Sequence, residues 1–132
     1  LARSGRSIPV YEDGQIVRDF VFIDDVASAI VAGVLRSPAA VEPYDIGLGE
    51  RTTIMQVAQT IAERYGAPAP HVTGQFRDGD VRAAWADTTR ARQALDWEPR
   101  VSVSEGINRL CDWIDAQEET VPTTPTDTAT EV

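Results

Sequence analysis

A few arginines and aspartates carry most of the chemistry this sequence can offer. Arg18 stands in "GQIVRDFVFIDDVASAI" (residues 14–30), at the mouth of an apolar run that ends on Asp24 and Asp25. Arg77 and Arg82 lie in "RDGDVRAAWAD" (77–87), with Asp78 and Asp80 on either side of Gly79. Guanidinium forks match phosphate oxygens in pairs. Two arginines on separate rigid attachments can therefore grip a diphosphate from both sides, and a nearby carboxylate can accept from a sugar hydroxyl. The same residues can equally form a surface ion-pair network, with Arg18 or Arg77 spent on the neighbouring aspartates. The residues alone leave both arrangements open.

The other reactive groups point to structure. Asp24 and Asp25 could form an acid/base pair. The better reading is that Asp24 caps the helix that follows and Asp25 sits in its first turn, where free N–H groups and the dipole favour carboxylates. His71, in "PHVTG", has no Ser, Cys or carboxylate at motif spacing and reads as structural. Cys111 is the single cysteine, so no internal disulfide forms, and no Cys/His spacing suggests zinc. No G-x-G-x-x-G opens a helix and no Walker loop is present. All basic residues are arginine, which reflects base composition more than phosphate binding; without lysine, no Tyr-x-x-x-Lys exists. The sequence shows no dinucleotide site and no catalytic residue.

These groups must be held by a small α/β frame. "SIPVY" (7–11) reads as a short strand, followed by a turn around Gly14, and "DFVFI" (19–23) reads as a second strand. A helix beginning "DVASAIVAGVLRS" follows, with Val26, Ile30, Val34 and Leu35 near helical spacing, and Ser37-Pro38 ends it. "PYDIGLG" (43–49) is a short strand into a glycine turn. Thr53 and Gln56 form a capping box for a helix that runs to Gly66. "HVTG" is a brief strand, and 75–85 is a loop. Asp87 is placed to cap "TTRARQALD". Ser102 with Glu105 opens the last helix, "VSEGINRLCDWIDAQEE". Residues 1–118 form one lobe, and 119–132 is a Pro/Thr-rich tail expected to be disordered.

The net charge of −9 argues against non-specific nucleic-acid or anionic-membrane binding. No apolar run is long enough to span a bilayer. Together with the lone cysteine, this gives a cytoplasmic expectation. The chain begins at Leu1 without an initiator Met, which suggests a fragment or a processed start. With so few short strands, the lobe should lean on another domain through an apolar face, and should self-associate in isolation.

"VYEDGQIVRDFVFIDDVASAI", "YDIGLGERTTIMQVAQTIAERYG" and "RDGDVRAAWADTTRARQALDWEPRVSVSEGINRLCDWI" resemble, in order and spacing, the C-terminal portion of the extended short-chain dehydrogenases/reductases. These are NAD-dependent nucleotide-sugar epimerases and dehydratases, and the similarity covers roughly residues 5–117. The resemblance implies a small C-terminal substrate-binding lobe of a Rossmann-type enzyme, lacking most of the Rossmann domain. It implies that Arg18 and Arg77 contact the nucleotide diphosphate, that Asp80 holds the ribose, and that Pro9, Val10 and Tyr11 line the base. The family often has Gln two residues before the motif arginine. Ile16 holds that place here, so a glutamine contact is not expected. The implied partner is a nucleotide-diphosphate sugar, with NAD bound by the missing N-terminal domain and the full-length enzyme a homodimer. A UDP- or dTDP-sugar 4-epimerase is the first reading. A 4,6-dehydratase or decarboxylase is the second, and a non-catalytic sugar-nucleotide binding module the third. The 132 residues alone should be inactive.

Overall fold

The computed structural model of the protein describes residues 1–36 and 43–118. Ser37-Pro38 and the 119–132 tail fall outside those residues. A 3-10 turn, Ala2–Ser4, opens the chain, and the elements that follow are β1 (Pro9–Val10), β2 (Val17–Arg18), α1 (Ile23–Arg36), β3 (Thr52–Thr53), α2 (Ile54–Arg64), β4 (His71–Val72), α3 (Thr89–Leu95) and α4 (Val103–Glu118). The fold is mixed α/β. β1 pairs with β4 in parallel, Pro9 opposite His71 and Val10 opposite Val72. β2 pairs with β3 antiparallel, Val17 opposite Thr53 and Arg18 opposite Thr52. On its other side, Val17 forms a parallel bridge to Ala83.

The helices pack in two pairs, α1 on α3 and α2 on α4. One core cluster joins Ala29 and Ala32 of α1 to Ala91 and Leu95 of α3 and to Trp97, with Tyr44 and Ile46 packed against it. In the other pair the buried residues are Ala58 and Ala62 of α2, with Ile107 and Cys111 of α4. Each set recurs at i, i+4, the spacing that puts side chains on one helix face.

α2 starts and stops where its sequence says. The Thr53 hydroxyl accepts from the Gln56 N–H at 3.1 Å, and the Gln56 side chain accepts from the Thr53 N–H at 2.8 Å. At the other end the Ala67 N–H reaches the Ala62 carbonyl and the Gly66 N–H reaches that of Glu63, so the last turn's carbonyls are satisfied around a left-handed Gly66.

Several expected elements change. "DFVFI" is not a strand: β2 is confined to Val17–Arg18, and Phe22 already accepts the first helical N–H, from Val26. Phe20, Val21, Phe22 and Ile23 instead face Val103, Gly106, Ile107 and Leu110 across an apolar groove. Asp24 therefore lies inside the first turn of α1 and is not its cap. "PYDIGLG" is not a strand either, because Tyr44 and Ile46 serve the core and the glycine turn is held by a side chain. Thr88 occupies the cap position of α3, but its hydroxyl accepts from Arg92 and makes no capping bond. Asp87 accepts from the Thr89 N–H one residue earlier than a cap would stand. At α4, Ser102 accepts from the Glu105 N–H, but the Glu105 carboxylate turns to Arg109 and leaves the box half made.

α1 buries its small residues and exposes its large ones. Asp25, Ala29 and Ala32 are inside, while Ile30, Val34 and Leu35 are 63%, 81% and 75% exposed. The apolar spacing read in the sequence is thus an outward stripe on this chain, larger than isolated surface apolar residues explain.

Candidate functional site

The backbone first brings three separate segments together. β1 and the turn after it carry Pro9, Val10 and Tyr11, β2 carries Arg18, and the 74–82 loop carries Arg77 and Asp80. The Glu12 N–H reaches the Gln75 carbonyl at 2.7 Å, and the Val17 N–H reaches that of Arg82 at 3.0 Å, so the loop is strung between the two strands. Inside the loop the Asp80 N–H closes on the Arg77 carbonyl at 3.2 Å, with Gly79 at φ 81 in the third position. This is a type II turn, which requires that conformation and suits glycine. Its effect is to set Arg77 and Asp80 side by side at the two ends of one turn.

The result is a cleft of ≈ 350 Å³ lined by Pro9, Val10, Tyr11, Ile16, Arg18, Ile54, Arg77 and Asp80. All six residues singled out in the sequence line it. Ile16 and Ile54 add apolar walls that the motifs did not flag. Two guanidiniums face one carboxylate here, so the cleft is locally positive in a chain of net charge −9.

The two arginines are held differently. Arg18 donates through Nη1 to the Val17 carbonyl at 2.8 Å and through Nη2 to Asp80 at 2.7 Å. A guanidinium has five N–H donors, so Arg18 is oriented with donors to spare. Among the described residues Arg77 makes no ion pair, and its guanidinium lies 6.0 Å from the Tyr11 ring. The ion-pair alternative thus holds for Arg18 with Asp80 and not for Arg77.

The aspartates outside the cleft are scaffold. Asp19 accepts from the N–H groups of Leu48 and Gly49 at 2.9 Å and of Ala86 at 3.1 Å, tying the mouth of β2 to two distant turns. A Cβ on Gly47 would stand 2.4 Å from the Asp19 carboxylate and 2.7 Å from Ala86, so only glycine fits there. Asp25 is buried and accepts from the N–H groups of Arg100 and Val101, both at 3.0 Å. Next to it the Trp97 indole donates to Ser28, which donates to the Asp25 carbonyl. Sequence reading gave Asp19 no role. The signal was the two-glycine turn at 47–49, whose N–H groups need an acceptor.

His71 lies on the exposed strand β4, opposite Pro9 but not itself lining the cleft, with its Nδ1 2.7 Å from the Ser7 hydroxyl. Tyr65, between α2 and α4, donates to Asp115 at 3.1 Å. Burial, then hydrogen bonds with Cys111 and Asp115, push its phenol up to about 12. No group of three or more His, Cys, Asp or Glu that could hold a metal is found among the described residues, and no described helix is long and apolar enough to cross a membrane.

Residues 2–110 match the model of a family described as GDP-mannose 4,6 dehydratase. The chain belongs to that family. Its members among the relatives are extended short-chain dehydrogenases/reductases that include nucleotide-sugar epimerases and dehydratases. The chain is 52% identical over 118 residues to a dTDP-L-rhamnose 4-epimerase of Burkholderia thailandensis, covering 89% of this chain and 32% of that protein. It matches a UDP-glucose 4-epimerase of Thermotoga maritima, solved with UDP-glucose, with a TM-score of 0.79 and 31% identity over 89% of this chain and 37% of that one. A dTDP-glucose 4,6-dehydratase of Bacillus anthracis, solved in complex with NAD, matches with a TM-score of 0.77 and 28% identity over 90% of this chain and 38% of that one. The chain therefore spans about a third of the length of these extended short-chain enzymes. No glycine-rich cradle for a dinucleotide is found among the described residues. None of the nine glycines has G-x-G-x-x-G spacing, and the α2 N-terminus is already closed by its own capping box.

Proposed function

We propose that this chain is the nucleotide-sugar binding part of an NAD-dependent 4-epimerase acting on a UDP- or dTDP-sugar. In this reading Arg18 and Arg77 grip the diphosphate, Asp80 accepts from the ribose, and Pro9, Val10 and Tyr11 line the base. The observation that carries it is the meeting of all six residues on one locally positive cleft, although they come from three segments of the chain. The likeness to the Burkholderia 4-epimerase supports a dTDP-sugar in particular. NAD is bound by polypeptide outside these residues. The enzyme works in the cytoplasm as a homodimer, and the exposed stripe of α1 docks on its remainder. The 132 residues alone bind no NAD and convert no sugar nucleotide.

Calorimetry of the intact protein with UDP and dTDP tests the cleft. Arg18→Met and Arg77→Met should each cost about 1.5–3 kcal/mol, the range for charged hydrogen bonds. That is roughly ten- to a hundredfold in Kd. Unchanged affinity in both variants would make these arginines scaffold. A 4,6-dehydratase is the second reading, favoured by the description of the matching family and by the Bacillus anthracis structure. Product analysis separates the two: an epimer has the same mass as its substrate, whereas a dehydratase product has lost water.

A further inference from the structure

Nothing in the 74–82 loop is buried, so packing cannot fix the wall that carries Arg77 and Asp80. The loop is instead held by polar ties, and Arg82 makes the most extensive of them. Its Nη1 donates to Glu12 at 2.7 Å and its Nη2 donates to Asp13 at 2.5 Å, while its own carbonyl accepts from Val17. One residue thus joins the loop, strand β2 and the turn that follows Tyr11.

We propose that Arg82 is a positioning residue for the nucleotide cleft, clamping the turn behind Tyr11 to the loop that presents Arg77 and Asp80. The inference rests on the reading of the cleft as a nucleoside-diphosphate site. Arg82 does not line the cleft, and its guanidinium already faces two carboxylates. Its influence on a ligand is therefore indirect. The turn it holds is built for the clamp. Glu12 adopts φ 51, a conformation that suits glycine, yet keeps the carboxylate that glycine would lack. Its backbone N–H is tied to the same loop, at Gln75. Asp13 is oriented in turn by accepting from the Gln15 N–H at 2.9 Å. The pairing with Arg82 also holds the Asp13 carboxyl below the usual carboxylate range, so both partners stay charged around neutrality.

The test is UDP and dTDP affinity of the intact protein, with backbone hydrogen exchange alongside. Arg82→Met should weaken binding about tenfold and speed exchange of the Glu12 and Val17 amides. The Glu12→Gln/Asp13→Asn double variant should weaken binding by a similar factor, and the triple variant should be no worse than either. Arg82→Lys should recover part of the loss. A direct Arg82–phosphate contact makes the opposite demand: freeing Arg82 from its carboxylates would tighten binding, and that result overturns the proposal. Unchanged affinity in Arg82→Met beside normal binding by the unaltered protein overturns this inference alone. No binding of UDP or dTDP by the unaltered protein overturns the cleft reading, and this one with it.

Discussion

Two sets of carboxylates divide this molecule. Asp19 and Asp25 accept from backbone N–H groups, five between them, and no guanidinium reaches either among the described residues. Asp80 faces Arg18 in the cleft, and Glu12 and Asp13 face Arg82, which does not line it. A carboxylate that closes on backbone amides pins one stretch of chain to another, and its loss strands buried donors. A carboxylate that faces an exposed guanidinium is screened by solvent and contributes little to stability. It does set where a charged side chain points. The first set should govern folding and the second set binding.

Asp25→Ala should give the largest loss of stability. It leaves the Arg100 and Val101 N–H groups without an acceptor beside a buried Trp97, and each stranded donor costs about 1–3 kcal/mol. Denaturant unfolding should show a loss of about 2–4 kcal/mol, while nucleotide affinity of the folded fraction stays the same. A variant as stable as wild type would remove the distinction on its folding side. Asp24→Asn, on the exposed neighbour, serves as the control and should be nearly silent.

Gly47→Ala ranks next. The added Cβ overlaps the Asp19 carboxylate and Ala86, neither of which has a flexible end to swing away. Forcing an extra carbon into such a site costs about 1–3 kcal/mol. Thermal melts should fall accordingly, and Asp19→Ala, which vacates part of the space, should make the double variant less than additive.

How much of this was legible follows from the kind of contact. The ends of α2 could be read because Thr53, Gln56 and Gly66 act on backbone groups within a few residues. The cleft residues could be named because they fall in linear motifs. The strand at 19–23 was misread because its β-branched and aromatic composition says nothing about a partner, and two-residue strands leave no pattern to read. The role of Asp19 and the partners of Arg82 were missed for a related reason. Their partners lie 67 and 70 positions away, and no local spacing encodes such a pairing. Val34 and Leu35 kept helical spacing and still face outward, because alanines fill the α1–α3 contact.

Arg18→Met sharpens the comparison from the binding side. Its ion pair with Asp80 is part-exposed, so its removal should shift stability by less than about 1 kcal/mol. The affinity loss should exceed that by a clear margin. Melting and calorimetry on one preparation compare the two numbers directly, and a variant that melts early while binding normally would assign Arg18 to the scaffold.

The smallest effect concerns two exposed aspartates whose carboxyls are both held below the usual range, by different means. Asp13 is lowered first by the hydrogen bond from the Arg82 side chain and then by the Gln15 N–H. Asp87 is lowered by the hydroxyl and N–H of Thr89 alone. A carboxyl depressed in the fold stabilises it above the unfolded pKa of about 4. That contribution disappears as pH falls through the lower, folded value. Between pH 5 and pH 2 the Tm of wild type should therefore drop more steeply than that of Asp13→Asn or Asp87→Asn. Salt then separates them. A guanidinium pair in water is screened by added salt, whereas a hydrogen bond to the next-but-one residue is not a contest between separated charges. Repeating the melts in high salt should erase most of the difference for Asp13 and leave that for Asp87. Equal salt sensitivity at the two positions would mean that a carboxylate paired with a guanidinium is held as one bound to backbone amides is, and the division between them would fail where it is easiest to see.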